Sequence, residues 1–148
     1  DRTLYIIQWS TWEREEWLVN DEYYQINASG TDNVPDSHTQ KYKEYVAKVN
    51  WKKKTKEAHE DIWQFHLELD KLGAKHIFFN GNNDFSKVKD QKQWGSSYIE
   101  PYSTEHTFNA VVGARCETVS PISWHYGVDG HRVWAQYLTK YIVDNKLI

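Results

Sequence analysis

The chain contains no methionine and a single cysteine, Cys116. One thiol excludes an internal disulfide framework and fits a reducing compartment. Its setting, Ala114-Arg115-Cys116-Glu117-Thr118-Val119, predicts a packed thiol on a short strand at 115–119 rather than a nucleophile. With no methionine, and with Asp1 leading straight into a strand pattern, the expectation is a processed or excised chain with sequence upstream of Asp1. No apolar run approaches the roughly 18 residues of a membrane span, and no signal peptide is visible, so no membrane partner is expected. Basic residues are not in excess: the net charge is −3, which argues against nucleic acid, because phosphate-backbone binding needs a basic face. The cluster Lys52-Lys53-Lys54 with Lys56 lies among Glu57 and Glu60 and predicts a solvated helix end. No Gly-rich loop follows any strand pattern, which discounts a nucleotide-binding flavodoxin-like domain, and no cofactor or metal is called for.

Aromatic residues are abundant instead, at 16% of 148 residues with eight Trp and ten Tyr. Most are expected to build the core and its rim. Trp9, Trp12, Trp94 and Trp124 fall in predicted loops or strand ends and are candidates for a stacking surface. A chain of this length fits one domain, 1–148, with one core.

Residues 4–9 form a continuous apolar run, as a central parallel strand does. Ser10-Thr11 followed by Glu13 predicts a capped short helix running through Trp17-Leu18. Residues 20–38 read as a long loop, a lid or wall, with an extended piece at 23–27. From Thr39 to Leu72 the apolar spacing is helical, broken near Asn50-Trp51 and stopped by Gly73. His59 and His66 lie seven apart on the second helix; that spacing supplies no third zinc ligand, so both are expected as rim histidines. A strand at 75–80, a helix from Thr104 to Val112, the short strand at 115–119 and a last helix from about Gly130 to Asp144 complete the pattern. This order predicts an α/β fold, a three-layer sandwich with a mainly parallel sheet.

Two blocks carry chemistry. The strand at 75–80 ends in Gly81-Asn82-Asn83-Asp84, which can aim amide donors at a substrate oxygen from the carboxyl edge of a parallel sheet. Near the C-terminus, Trp124-His125-Tyr126-Gly127-Val128-Asp129-Gly130-His131 places two histidines on a Gly-punctuated loop before a helix, where an acid/base imidazole is useful. Together they resemble the SGNH (GDSL-like) hydrolases, whose third block is Gly-x-Asn-Asp and whose fifth is a loop histidine followed by Gly-His and an amphipathic helix. The resemblance implies an SGNH-like, flavodoxin-like architecture and a serine esterase or acetyl-ester hydrolase acting on a small-molecule or glycan ester.

The resemblance can be seated in two ways. In the first, Ser10 is the nucleophile, Gly30 and Asn83 are oxyanion donors and His125 is the base. Here Gln8-Trp9-Ser10 stands in place of Gly-Asp-Ser, and Ile122 in place of the Asp that the family sets three residues before its histidine. Asp129, Asp84 or a backbone carbonyl would then orient His125. In the second seating, residues 6–17 replace the third strand, as in a divergent branch similar to proteins of tailed phages of marine bacteria, where Trp-Ser/Thr is followed by Arg and Glu. The nucleophile block then lies upstream, the chain is the C-terminal portion of its domain, and a missing N-terminal segment or partner chain contacts it. Ser10 becomes a donor or cap, Arg14 an anchor for a carboxylate or phosphate, and His125 the remaining acid/base group. This second seating is preferred, because it accounts for the absent methionine.

Each candidate also has a plain structural reading. Ser10 can be a helix N-cap, Asn83-Asp84 a turn pair, Arg14 a surface partner of Glu15 or Glu22, and His131 a structural hydrogen-bonding group. A non-catalytic relative that binds a glycan or a protein through Trp12 and Trp124 is the alternative to the enzyme.

Overall fold

The computed structural model describes residues 3–27, 34–123 and 125–148. In chain order the elements are β1 (Tyr5–Trp9), β2 (Glu15–Val19), β3 (Glu22–Ile26), α1 (Thr39–Lys48), α2 (Trp51–Lys71), β4 (His76–Asn80), α3 (Phe108–Gly113) and α4 (Val128–Asp144). A single 3-10 turn, Asp36–His38, precedes α1. Among the described residues no helix is long and apolar enough to cross a membrane.

The organising strand is β4, buried at all five positions. It pairs in parallel with β1, from Tyr5 opposite His76 to Trp9 opposite Asn80. On its other side Phe78 donates to the Ser97 carbonyl and accepts from Ile99 N–H, a parallel bridge to Tyr98. Alternation along the strand divides its side chains between two helical layers. Ile77 and Phe79 pack with Val111, Val112 and Trp134 of α3 and α4, while Phe78 packs with Ile62 of α2 and with Phe85, Trp94 and Tyr98. The result is a mixed α/β structure, a small parallel sheet with helices on both faces.

The helices begin and end where local chemistry dictates. The Asn50 side chain accepts from Lys53 N–H at 3.0 Å and caps α2, separating it from α1 as the Asn50-Trp51 break suggested. At the other end Gly73, with φ 66°, takes the left-handed conformation. Gly73 N–H then bonds to the Asp70 carbonyl and Ala74 N–H to the Leu69 carbonyl, which is the Schellman pattern. That turn sends the chain back beside the last two turns of α2. Thr107 caps α3 through Ala110 N–H, so the expected helix from Thr104 starts later, at Phe108.

Several expectations are corrected. Residues 10–18 are not a helix. Thr11 Oγ1 accepts from Glu13 N–H in a tight turn, and β2 follows with Trp17 and Val19 buried and Glu16 and Leu18 exposed, a period of two. The loop expected over 20–38 is partly β3, which forms an antiparallel hairpin with β2 through Asn20 and Asp21, both at positive φ. The extended piece at 23–27 corresponds to β3. The hairpin buries Trp17, Val19 and Ile26 against Tyr42 of α1. The short strand at 115–119 reduces to one bridge, Thr118 opposite Tyr126. His59 and His66 are not rim residues; they are 0% and 4% exposed. Trp94 is buried too, and Lys54 leaves the solvated lysine cluster to pair with Glu15 at 2.5 Å.

Candidate functional site

The carboxyl ends of β1 and β4 meet at a small network of backbone bonds. Gly81 N–H donates to the Trp9 carbonyl at 2.8 Å, and the Gly81 carbonyl accepts from Asn109 N–H at 3.0 Å. A Cβ at Gly81 would stand 3.2 Å from the Trp9 carbonyl, a tight contact, and 2.8 Å from Gln8 Nε2, a side-chain end that would have to move, so this close approach favours glycine. The Asn109 amide also donates to Asn82 Oδ1, and its carbonyl accepts from the Tyr126 hydroxyl at 3.4 Å. Phe108 meets Tyr126 edge-on at 6.0 Å and lies 6.2 Å from the His131 ring. The segment carrying His125, Tyr126 and His131 is thereby tied to the strand edge that carries the Gly81 turn.

The residues selected from sequence are distributed unevenly around that edge. Ser10 follows the last residue of β1 and is exposed; Arg14 is exposed as well. Asn83 is half-buried in the turn after β4, next to Asp84, whose carboxylate accepts from Ser86 N–H. His125 is exposed, its backbone held by Ser123 Oγ and by Val119 N–H. Among the described residues no hydrogen bond, ion pair or ring contact joins the His125 ring to Ser10, Asn83, Asp84 or Asp129. Asp129 pairs instead with Arg132 at 2.5 Å. Trp12 is half-buried: one face stacks on Phe85 at 4.7 Å, and its indole N–H donates to Thr55 Oγ1 at 3.1 Å. Glu15 and Glu22 do not take Arg14; Glu15 binds Lys54 and the Trp17 indole, and Glu22 accepts from the Tyr24 hydroxyl. Gly30 and Trp124 lie outside the described residues.

A second concavity was not anticipated. An open cleft of about 670 Å³ is lined by Trp94, Glu100, Tyr102, His106, Tyr137 and Tyr141, among others. Burial pushes the Tyr141 phenol up to about 12, with Glu100 and Tyr137 adding to the effect; it raises the Tyr137 phenol in the same way, with Glu100 again contributing. Both phenols therefore stay protonated, and the Tyr137 hydroxyl can donate to His106 Nδ1 at 2.7 Å. Glu100, at φ 37°, is a strained backbone position on the rim of this cleft. The one local signal in the sequence was Glu100-Pro101, since a residue before proline is restricted.

At the opposite end of β4 three ionisable groups converge. His66 Nδ1 lies 2.8 Å from His76 Nε2, and His66 Nε2 lies 3.4 Å from Asp70 Oδ2. His76 Nδ1 is 2.8 Å from the Ala74 carbonyl. A carbonyl only accepts, so His76 carries its proton on Nδ1 and presents a lone pair at Nε2. Burial lowers the His66 pKa, Asp70 opposes that shift and His76 reinforces it. The seven-residue spacing in the sequence relates His66 to His59. The partner is His76, ten residues from His66, because the Schellman turn after α2 doubles the chain back.

The chain matches no family model, no curated protein and no solved structure.

Proposed function

We propose that this chain is an SGNH-like α/β domain that binds a small-molecule or glycan ester at the carboxyl edge of its parallel strands and cleaves it with His125 as general base. One observation carries this reading. The bonds from Tyr126 to Asn109, from Asn109 to Gly81 and from Gly81 to Trp9 fasten the histidine segment to the edge where α/β folds take their ligands. Asn83, half-buried in the same turn, is the amide donor for a developing oxyanion. Ser10 begins one residue beyond β1 and serves either as the nucleophile or as a second donor. Arg14, exposed, is the group for a substrate carboxylate or phosphate, and His131 shapes the wall against Phe108.

The test is a fluorophosphonate probe on the full gene product, read by mass spectrometry, with turnover of a nitrophenyl acyl ester measured beside it. His125→Ala is expected to lower turnover by about 10²- to 10⁴-fold, the usual contribution of a general base. Ser10→Ala separates the two seatings: lost labelling makes Ser10 the nucleophile, and a label that mass spectrometry places on another serine rules that seating out. No labelled serine together with unchanged turnover in His125→Ala would end the esterase reading.

A non-catalytic glycan- or protein-binding module is favoured by one different observation. The His125 ring has no orienting carboxylate among the described residues, and Ile122, which stands where the resemblance expects one, is 93% exposed. Loss of glycan binding in Trp124→Ala, with ester turnover absent throughout, would select this reading.

A further inference from the structure

The amino end of β4 brings two buried histidines and a carboxylate together. His76 is fixed by the Ala74 carbonyl at 2.8 Å, so its Nε2 accepts. His66 has that acceptor 2.8 Å from its Nδ1 and the Asp70 carboxylate 3.4 Å from its Nε2. His66 and His76 are 4% and 3% exposed, and the His66 ring is walled by Trp63, Phe78 and Trp94.

We propose that His66, Asp70 and His76 form a binding site for a divalent first-row transition metal, of the zinc type, with its remaining position open to the adjoining pocket. One nitrogen or oxygen from each of the three residues lies within 4.8 Å of the others. The ligand set, two imidazoles and a carboxylate, suits zinc or its neighbours rather than magnesium or calcium. Orientation of a ligating histidine by a backbone carbonyl on its other nitrogen is the usual support of such sites, and Ala74 provides it. His66 and Asp70 sit one helical turn apart on α2, and the Gly73 turn delivers His76 opposite them. His66 Nδ1 and His76 Nε2 would open from 2.8 Å to about 3.3 Å on tetrahedral coordination, and the exposed Asp70 carboxylate, now 3.4 Å from His66 Nε2, would turn toward that gap to complete the set. A pocket of about 310 Å³, bordered by Asp70, Gly73, His76 and Ser97, gives an entry path and room for a water or a further ligand. This site stands apart from the proposed ester site, at the other end of a five-residue strand and roughly 13 Å away.

The experiment is titration of chelator-treated protein with zinc and with cobalt(II). Binding is expected to saturate at one ion per chain by calorimetry, and cobalt(II) is expected to show visible absorption and to quench the fluorescence of Trp63 and Trp94, whose rings lie 5.0 and 5.5 Å from that of His66. Zinc should reverse the quenching. Asp70→Ala, at an exposed position that leaves the fold intact, should weaken zinc binding about tenfold or more, and His76→Gln should abolish it. Absence of saturable binding by either ion would overturn the proposal, as would binding that Asp70→Ala leaves unchanged. The Asp70 variant decides the matter even where His76→Gln fails to fold.

Discussion

One hydroxyl, that of Tyr102, fixes the state of a buried histidine. It accepts from Lys92 N–H at 2.6 Å and from the Trp94 indole at 2.9 Å, which uses both of its lone pairs. Its own proton then goes to His59 Nε2 at 2.9 Å, so His59 is neutral with its hydrogen on Nδ1. That Nδ1 has no hydrogen-bond partner, although Glu60 lies 3.7 Å away. Burial lowers the His59 pKa and Glu60 opposes the shift. Because the folded-state value lies below the unfolded one, near 6.5, the unfolded chain binds more protons in the interval between them, and stability falls as pH drops below about 6.5. Urea unfolding followed from pH 7.5 to 5 is expected to show this loss, in a range above that where Glu15 takes up its proton. Tyr102→Phe should cost about 1–3 kcal/mol at pH 7.5, since it strands the Trp94 and Lys92 donors. A slope between pH 5 and 6.5 that is unchanged in His59→Gln would refute the assignment. None of this was legible locally. Trp94 reads as a loop aromatic in sequence, and its burial comes from Trp63, His66 and Tyr98, partners that the fold brings together.

At the scale of elements, the segments that were legible carry their own signals. α2 repeats its apolar residues at helical spacing between an Asn cap and a terminal Gly, and β4 is a short continuous apolar run. The misread element is β2. Ser10 and Glu13 imitate a capping box, yet Thr11 turns the chain first, and Trp17-Leu18-Val19 then alternates as a strand. The overlooked signal was Asn20-Asp21. These residues occupy φ 51° and 64°, the left-handed pair that a two-residue hairpin requires. Asp at the second position tolerates this conformation less well than Gly does. Asp21→Gly is therefore expected to stabilise the protein by up to about 1 kcal/mol and Asp21→Val to destabilise it by more than that, read as opposite shifts of the thermal midpoint. Equal midpoints for the two variants would show that the turn does not govern the hairpin.

At the scale of the molecule, three buried clusters divide the labour unequally. Two of them share β4: Ile77 and Phe79 face α3 and α4, Phe78 faces α2, and removal of either layer exposes the strand. The third, Trp17, Val19, Ile26 and Tyr42, has no residue in common with the other two. The hairpin and α1 reach the rest of the chain through polar links. Lys54 pairs with Glu15, whose carboxyl burial would raise but whose bonds to Lys54 and Trp17 hold below its ordinary value, and the Tyr45 hydroxyl donates to the Glu13 carbonyl. Such half-exposed links contribute about 1 kcal/mol each, less than a shared apolar core does. Hydrogen exchange under native conditions should therefore resolve two levels of protection. Amides of β2 and β3 are expected to exchange through a smaller opening, with those of β4 protected up to the free energy of global unfolding. Lys54→Met should speed exchange in the hairpin and leave β4 unchanged, because it cuts the ion pair to α2 and touches neither face of the central strand. Equal protection of hairpin and β4 in the unmodified protein, or a parallel loss in both on Lys54→Met, would mean that the three clusters unfold as one unit.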